Sequence, residues 1–319
     1  MLDFSHGAAY VNGQFVPIAE AKISILDWGF LHSDATYDVA HVWKGKFFRL
    51  DDHIERFLSG MDKLRLSIPH NRSDLLSILV DCVRASGLRE AYVEMICTRG
   101  LPKPGSRDPR ECTNRFFAFA IPFVWIANPE KQREGLHLIV SRLQRIPPES
   151  VDPTVKNYHW LDLVMGLFEA YDRGGETAVV VDTRGNLIEG PGFNIFAVKG
   201  RPITTPARGV LEGITRRTAI ELAIKYGYEV MQRNLSADEA RAAREIGILE
   251  APPEKGIHIQ WKIDSRPGEA GIGAGHREPD PVILPPVGET CRDAEHDVVS
   301  RGARDILAEG NPERAAERF

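Results

Sequence analysis

Short apolar strands alternate with amphipathic helices along roughly the first 250 residues of this 319-residue chain. That alternation argues against an all-β or all-α fold and predicts an α/β or α+β architecture. The chain is long enough for two domains, each with its own core. A polar, proline-containing stretch over 123–134 is the predicted interdomain connector. We therefore expect an N-terminal α/β domain over 1–122 and a C-terminal domain over 135–250.

Turn residues and caps mark the elements of the N-terminal half. Two hairpins are predicted, at Asn12-Gly13 and at Lys44-Gly45, because each dipeptide separates two short apolar runs. Two helices follow, and Ser73 is the predicted N-cap of the second. The apolar face of the first is expected to carry Ile54, Phe57, Leu58, Met61 and Leu64.

The composition of the chain changes after about Ala251. Residues 251–319 hold 8 of the 21 prolines and 8 of the 28 glycines, but only Trp261 and Phe319 among the aromatic residues. Such a segment can bury little apolar surface, so we expect an atypical, disordered tail.

Charge and hydropathy narrow the class of protein. A net charge of −5, with acidic and basic residues spread along the chain, offers no basic face for nucleic acid. The first residues lack a basic segment followed by an apolar one, and no apolar run approaches a membrane span. The cysteines are widely spaced without a C-x-x-C pair, which signals neither a zinc site nor a disulfide framework. We expect a cytoplasmic protein that binds neither nucleic acid nor a membrane.

Lys156 is the first residue whose sequence context suggests a catalytic role. It lies between a proline-rich approach over 147–153 and an apolar helical pattern. A desolvated lysine amine is a Schiff-base nucleophile. Taken alone, a lysine with its stem on the surface and its head in water is the more common situation.

Two further motifs suit a bound ring and a phosphate. Glu189 stands in E-G-P-G-F-N, where a turn carries one carboxylate into an apolar strand; it could pair with a protonated ring nitrogen, or be an ordinary turn residue. In V-L-E-G-I-T-R, Gly213, Ile214 and Thr215 begin a helix whose N–H groups and dipole would suit a phosphate. Many helices start after glycine, so this motif alone is weak.

The order and spacing of these motifs resemble the fold-type IV pyridoxal-phosphate enzymes. That class includes branched-chain aminotransferases, D-amino-acid transaminases, aminodeoxychorismate lyases and (R)-selective amine transaminases. The resemblance covers about Ala9 to Glu245 and includes Arg56 in D-D-H-I-E-R-F. It implies a two-domain architecture with pyridoxal 5'-phosphate between the domains, and a homodimer.

The resemblance also implies a role for each motif. Lys156 would bond the cofactor and carry the proton between substrate and cofactor. Glu189 would pair with the pyridine nitrogen. Arg56 would grip the phosphate together with Gly213, Ile214 and Thr215. Without the resemblance, Arg56 is expected to be a helix-surface partner of Asp52.

The substrate side is most similar to the (R)-selective amine transaminases. The segments that carry this similarity are H-S-D-A-T-Y-D-V, with His32 and Tyr37, and Y-V-E-M, with Tyr92 and Glu94. Branched-chain members usually have an arginine on the strand where this chain has Val93-Glu94. We expect these four residues to line the pocket and Arg99 or Arg107 to bind a 2-oxo acid; packing in a half-buried sheet is the alternative for Tyr37 and Tyr92.

Two departures from the family pattern bear on the cofactor. Position 161 is leucine where branched-chain members commonly have a tyrosine that touches the ring hydroxyl. The S/T-x-T-A-G-G phosphate loop is not recognisable in 247–255, although family-like sequence resumes at 262–267. Either a reading-frame slip or a degenerate tail would give this pattern, and we expect impaired cofactor affinity.

Together these observations predict a transaminase that moves an amino group from a primary amine or amino acid to a 2-oxo acid. Donors of the (R)-amine, branched-chain or D-amino-acid type are all consistent with the resemblance. A lyase similar to aminodeoxychorismate lyase and a catalytically impaired relative remain the alternatives.

Overall fold

This computed structural model describes residues 6–199, 202–243, 245–249 and 261–263. Within them the chain forms two compact units. The first contains 6–124 and Val155–Tyr158, and the second contains Trp125–Thr154 together with the described residues from 159 onward. The division near residue 124 lies inside the stretch expected as connector, but Val155–Tyr158 belong to the first unit although they fall within the expected C-terminal domain. The tail expected over 251–319 lies outside the described residues apart from 261–263.

The first unit is built on a six-stranded antiparallel sheet. Its order is β2-β1-β6-β5-β3-β4, where the strands are β1 (Ala8–Val11), β2 (Gln14–Pro17), β3 (Ala35–Trp43), β4 (Lys46–Phe47), β5 (Ala91–Pro102) and β6 (Cys112–Pro122). The helices of this unit are α1 (Trp28–His32), α2 (Leu50–Lys63) and α3 (Arg72–Ser86). The two predicted hairpins are confirmed, and each turn uses positive φ angles, 55° and 83° at Asn12-Gly13 and 51° and 82° at Lys44-Gly45.

Helix α2 buries the face that its periodicity predicts. Ile54, Phe57 and Met61 are buried in the main core, and Leu58 and Leu64 pack against it partly exposed. The N-cap predicted for α3 is wrong. Asn71, rather than Ser73, caps the helix, because its side-chain oxygen accepts the backbone N–H groups of residues 73 and 74 at 2.8 and 3.1 Å.

The second unit contains two sheets. One has the order β12-β11-β10-β13 with β9 paired to β10, and the other has the order β14-β7-β8 with parallel strands. The strands are β7 (Leu136–Gln144), β8 (Thr177–Val181), β9 (Glu189–Gly190), β10 (Phe193–Val198), β11 (Pro202–Thr205), β12 (Glu229–Gln232), β13 (Glu245–Leu249) and β14 (Trp261–Ile263). Its helices are α4 (Pro129–Glu134), α5 (Leu161–Asp172), α6 (Ile214–Lys225) and α7 (Ala237–Arg241). None of the helices in the described ranges has the length and apolar character needed to cross a membrane.

The mixed α/β architecture predicted from the alternation is therefore confirmed. In the first unit α2 and α3 pack on the six-stranded sheet and bury Ile54, Leu75, Leu79 and Val93 completely. In the second unit Leu138, Leu187, Ile195 and Leu235 form the centre of a separate core. Each unit thus has its own apolar interior, on which its candidate site residues are mounted.

Candidate active site

Lys156 is held by its backbone against strand β3. Its carbonyl oxygen accepts the Tyr37 N–H at 3.0 Å and the Thr36 hydroxyl at 2.8 Å. Its side chain is half-buried, and Nζ lies 4.6 Å from the centroid of the Tyr37 ring. The lysine therefore has a fixed base and an aromatic neighbour, which a solvated surface lysine lacks.

Tyr37, Tyr92 and Glu94 lie on one face of the first sheet. In the register of β3 and β5, Tyr37 is opposite Ile96, Val39 is opposite Glu94 and His41 is opposite Tyr92, so these positions point to the same side. Glu94 is 7% exposed and accepts the Tyr92 hydroxyl at 2.9 Å. The structure thus brings three of the five predicted substrate residues together on this face.

Tyr158 completes this group and was not predicted from the sequence. Its hydroxyl donates to Glu94 at 2.6 Å, and its ring stacks on Tyr37 with centroids 4.4 Å apart and planes 16° from parallel. It stands two residues after Lys156, but its partner on β5 is distant in sequence. We call Tyr37, Tyr92, Glu94 and Tyr158 the Glu94 cluster.

The ionisation of the Glu94 cluster is set by burial. Burial raises the pKa of Glu94, against the hydrogen bonds from Tyr158 and Tyr92 and the charge of Lys156, which act to lower it. Burial and the adjacent Glu94 charge raise the pKa of both Tyr92 and Tyr158 far above the ordinary range. Both phenols are therefore neutral donors at any physiological pH.

Arg56 lies on the opposite side of β3 from Tyr37, where α2 packs. Its Nε and Nη2 donate to the two oxygens of Asp38 at 2.7 and 2.9 Å, and His53 Nδ1 lies 2.7 Å from Asp38 Oδ1. Burial alone would raise the pKa of Asp38, but Arg56 and His53 outweigh it and hold that pKa well below its usual range. Burial lowers the pKa of His53. The Arg56 side chain is 14% exposed and held by a buried carboxylate, so it is not a helix-surface residue.

In the second unit, Glu189 is buried in a network of its own. Its Oε1 accepts Arg145 Nε at 3.2 Å and its Oε2 accepts the Leu211 N–H at 3.0 Å. The same guanidinium donates from Nη1 to both oxygens of Asp162 at 2.9 Å. Glu189 is 7% exposed, so it is more than an ordinary turn residue. Arg145 was not predicted from the sequence, because no local motif marks it.

Gly213, Ile214 and Thr215 form the start of α6 as predicted. No side chain caps this helix, so its first N–H groups are oriented outward with the positive end of the helix dipole. The approach is fixed by Asn194, whose Nδ2 donates to the Leu211 carbonyl at 3.0 Å. Arg216, 6% exposed, ties the first turn to the Pro206 carbonyl at 2.9 Å.

The remaining predicted residues are placed differently. His32 is exposed at the end of α1 and meets Trp28 edge-on at 4.7 Å. Arg107 is exposed in the loop between β5 and β6. Arg99 is fully engaged by Asp34 and by the Leu64 and Arg65 carbonyls, so it is a structural residue rather than one that swings toward substrate. Leu161 is 75% exposed at the start of α5.

The residues present fit pyridoxal phosphate. Within the first unit, Lys156 would supply the amine and Arg56 a phosphate donor; within the second, Glu189 would supply a buried carboxylate for the ring nitrogen and the start of α6 would supply N–H donors for a phosphate. Lys156 and Arg56 belong to the first unit, and Glu189, Gly213, Ile214 and Thr215 to the second. Most of 247–255 lies outside the described residues, so the impaired phosphate loop stays a prediction. Among the described residues no cluster of His, Cys, Asp or Glu could hold a metal ion.

Comparisons with known proteins agree with this chemistry. Residues 35–253 match the family model of amino-transferase class IV. A Methanocaldococcus jannaschii protein named "Putative branched-chain-amino-acid aminotransferase" is 32% identical over 260 residues, 81% of this chain and 88% of that protein.

Two solved structures are similar over most of the chain. The branched-chain aminotransferase from Thermoproteus uzoniensis with norvaline has a TM-score of 0.70 and 28% identity, and the match covers 76% of this chain and 82% of that one. The branched-chain amino acid aminotransferase from Thermobaculum terrenum, in its PLP-form, has a TM-score of 0.67 and 25% identity, and the match covers 76% and 81%. The chain therefore belongs to the class IV aminotransferases, and it is a pyridoxal-phosphate-dependent aminotransferase.

Proposed function

We propose that this aminotransferase takes its amino group from primary amines of the (R)-selective transaminase type and passes it to a 2-oxo acid. The observation that carries this proposal is the buried carboxylate of Glu94, which accepts a phenol hydroxyl on each oxygen and belongs to the cluster whose Tyr37 ring lies next to Lys156 Nζ. A donor with its own carboxylate on that side would bring two negative charges together in a poorly solvated place, which is unfavourable. A donor amine without a carboxylate avoids this repulsion.

The chemistry at the donor carbon needs a base that can reach it. Pyridoxal phosphate supplies the electron sink when it is bound. Lys156 Nζ would be the group that bonds the cofactor and that removes and returns the proton, and the bond of the Lys156 carbonyl to Thr36 fixes the backbone from which the amine extends. Glu189, held by Arg145 and the Leu211 N–H, would stabilise a proton on the ring nitrogen.

The phosphate of the cofactor and the carboxylate of the 2-oxo acid acceptor are anions, and each needs cationic side chains or N–H groups as hydrogen-bond donors. We assign the phosphate to Arg56 and to the Ile214 and Thr215 N–H groups. The exposed Arg107 is our assignment for the acceptor's carboxylate, since Arg99 is already committed to Asp34. We keep His32 as a proposed residue of the substrate-pocket lining.

We also propose a homodimer. Large apolar side chains are exposed on two segments of the chain, Ile25, Leu26 and Phe30 near the amino end and Leu161 and Phe168 on α5, at 74, 62, 64, 75 and 56% exposure. Exposed apolar residues in such number favour a covered surface. Light scattering after gel filtration should give about twice the chain mass of 35.6 kDa, and a monomer would contradict the assignment.

Branched-chain L-amino acids are the second candidate donors, favoured by the names of the relatives. A panel of (R)-1-arylalkylamines, their (S)-enantiomers, L-leucine, L-valine and D-alanine, with pyruvate or 2-oxoglutarate as acceptor, decides between the two. We expect (R)-amines to give the highest kcat/KM. If L-leucine or L-valine is clearly the best donor and the (R)-amines are inert, the amine proposal is wrong and the second candidate stands.

A further inference from the structure

We propose that Tyr158 is a positioning residue for donor choice, one that holds Glu94 as an anion beside Lys156 and fixes the Tyr37 ring on which the lysine rests. The proposal rests on the amine-donor function above and names the residue that would enforce it. Tyr158 is two residues from the lysine, so the same short segment carries both the nucleophile and the group that orients the charge next to it.

The contacts of Tyr158 divide between its two ends. The hydroxyl donates to Glu94 Oε1 at 2.6 Å, the short distance of a charge-assisted bond, while Tyr92 donates to Oε2 at 2.9 Å. The ring lies flat on Tyr37 at 4.4 Å, and Lys156 Nζ is 4.6 Å from the centroid of that same Tyr37 ring. One side chain therefore links the carboxylate to the aromatic support of the lysine.

The hydrogen bonds are what favour a charged Glu94. The groups that act on its carboxyl are Tyr158, Tyr92 and Lys156, which stabilise the anion, and Asp38, which opposes it. Burial opposes the anion as well. Because Glu94 is 7% exposed, water can replace a lost phenol only poorly. Removing the Tyr158 hydroxyl should therefore let Glu94 take a proton.

A neutral Glu94 would change which amino donors the site disfavours. The repulsion of a donor carboxylate would fall, so amino acids should gain relative to amines. The positive charge at Lys156, free or bonded to the cofactor, would lose a stabilising neighbour and give up its proton at lower pH. These two effects have separate readouts, one in kinetics and one in the spectrum of the resting holoenzyme.

The experiment compares Tyr158→Phe, Glu94→Gln and the double variant as holoenzymes with the unaltered protein. Tyr158→Phe keeps the stacked ring and removes only the hydroxyl. Tyr226→Phe is the matched control, because Tyr226 is 44% exposed at the far end of α6. Two quantities are measured: the ratio of kcat/KM for (R)-1-phenylethylamine to that for L-leucine, and the pH midpoint of the cofactor's visible absorbance.

We expect Tyr158→Phe to lower the amine preference by about tenfold, mainly through KM, and to move the absorbance midpoint down by about one pH unit. Glu94→Gln should do both, and the double variant should resemble Glu94→Gln. The proposal is overturned if Tyr158→Phe behaves like the control, or if it keeps its full effect in the Glu94→Gln background. The pH midpoint of the absorbance is measured without any donor. Comparing it in the two single variants and the double variant therefore tests the Tyr158–Glu94 link even if the donor panel shows that amines are not the preferred donors.

Discussion

Arg145 Nε donates to Glu189 Oε1 at 3.2 Å, and Arg145 Nη1 donates to both oxygens of Asp162 and to the His159 carbonyl. The arginine is thus shared between two half-buried or buried carboxylates of the second unit. The position of the Glu189 carboxylate, and with it the pairing proposed for the cofactor ring, depends on this shared cation.

Arg145→Met should destabilise the protein severely. The change leaves Glu189 and Asp162 without their common cation, and an uncompensated buried charge costs about 3–5 kcal/mol. For a chain of this size we expect Tm to fall by roughly 4–8 °C. Arg142→Met is the control, since the Arg142 side chain is 73% exposed. A Tm change for Arg145→Met as small as that of the control would show that the pairing is energetically unimportant.

Glu189→Gln should slow amine transfer by a factor on the order of 10² while weakening cofactor binding less, because the lost charge matters most when the ring accepts electrons. Single-turnover absorbance changes with one donor give the rate, and a titration gives the cofactor affinity. Glu130→Gln, on exposed α4, should leave both unchanged. Near-normal transfer rates in Glu189→Gln would show that the Glu189 carboxylate has no role in the reaction.

Lys156→Ala should abolish turnover and leave the fold intact. No other group is assigned to bond the cofactor, and the anchor to β3 uses the Lys156 carbonyl, which alanine retains. Borohydride treatment followed by mass spectrometry should add cofactor mass to the unaltered protein and to Lys46→Ala, but not to Lys156→Ala. Turnover at the unaltered rate in this variant would refute the assignment of the nucleophile.

Asp38→Asn should weaken both cofactor binding and stability, since Arg56 loses its anchor. The pKa of Asp38 is depressed in the folded protein, so its contribution to stability is complete above the unfolded value of about 4 and is lost as the pH falls through the folded-state pKa. The difference in Tm from the unaltered protein should therefore be constant between about pH 5 and 8 and shrink below about pH 4. Asp81→Asn, on the surface of α3, provides the baseline. A constant difference down to about pH 3 would contradict this assignment.

Gly213→Ala should impair cofactor affinity by about tenfold or more, because a Cβ atom at Gly213 would lie 2.3 Å from Asn194 Oδ1, so that either the Asn194 side chain gives up its bond to the Leu211 carbonyl or the start of α6 moves. Either change loosens the approach to the helix start whose N–H groups are assigned to the phosphate. Gly166→Ala is the matched control, because its new atom would have its nearest neighbour at an ordinary 3.4 Å. Equal affinity in the two variants would remove Gly213 from the cofactor site.

Local chemistry determined which parts of this structure could be predicted. The hairpins at Asn12-Gly13 and Lys44-Gly45 follow from dipeptides that accept positive φ, and the face of α2 follows from periodicity. The cap of α3 was misassigned because Asn71 and Ser73 are both good capping residues two positions apart, and only the geometry separates them.

Long-range pairing determined what could not be predicted. Tyr158 and Glu94 are 64 residues apart, and Arg145 and Glu189 are 44 apart. Asp38 lies in the H-S-D-A-T-Y-D-V segment, but that segment gave it no role; its importance comes from being buried where α2 brings His53 and Arg56 to it. Sequence motifs identified the groups proposed to touch the cofactor, while the residues that support those groups emerged only from the fold.

The assignment of Val155–Tyr158 to the first unit has a consequence for biosynthesis. A ribosome releases residues 6–124 before the segment that carries Lys156, so the first unit must wait through a further stretch of the second before it is complete. In the interval the buried Tyr37 N–H has no Lys156 carbonyl to meet, and Glu94 has no Tyr158. The segment that carries Lys156 is thus synthesised after the sheet it joins, and a fragment ending at Val124 would lack Lys156 and would leave the Tyr37 N–H of β3 without that acceptor.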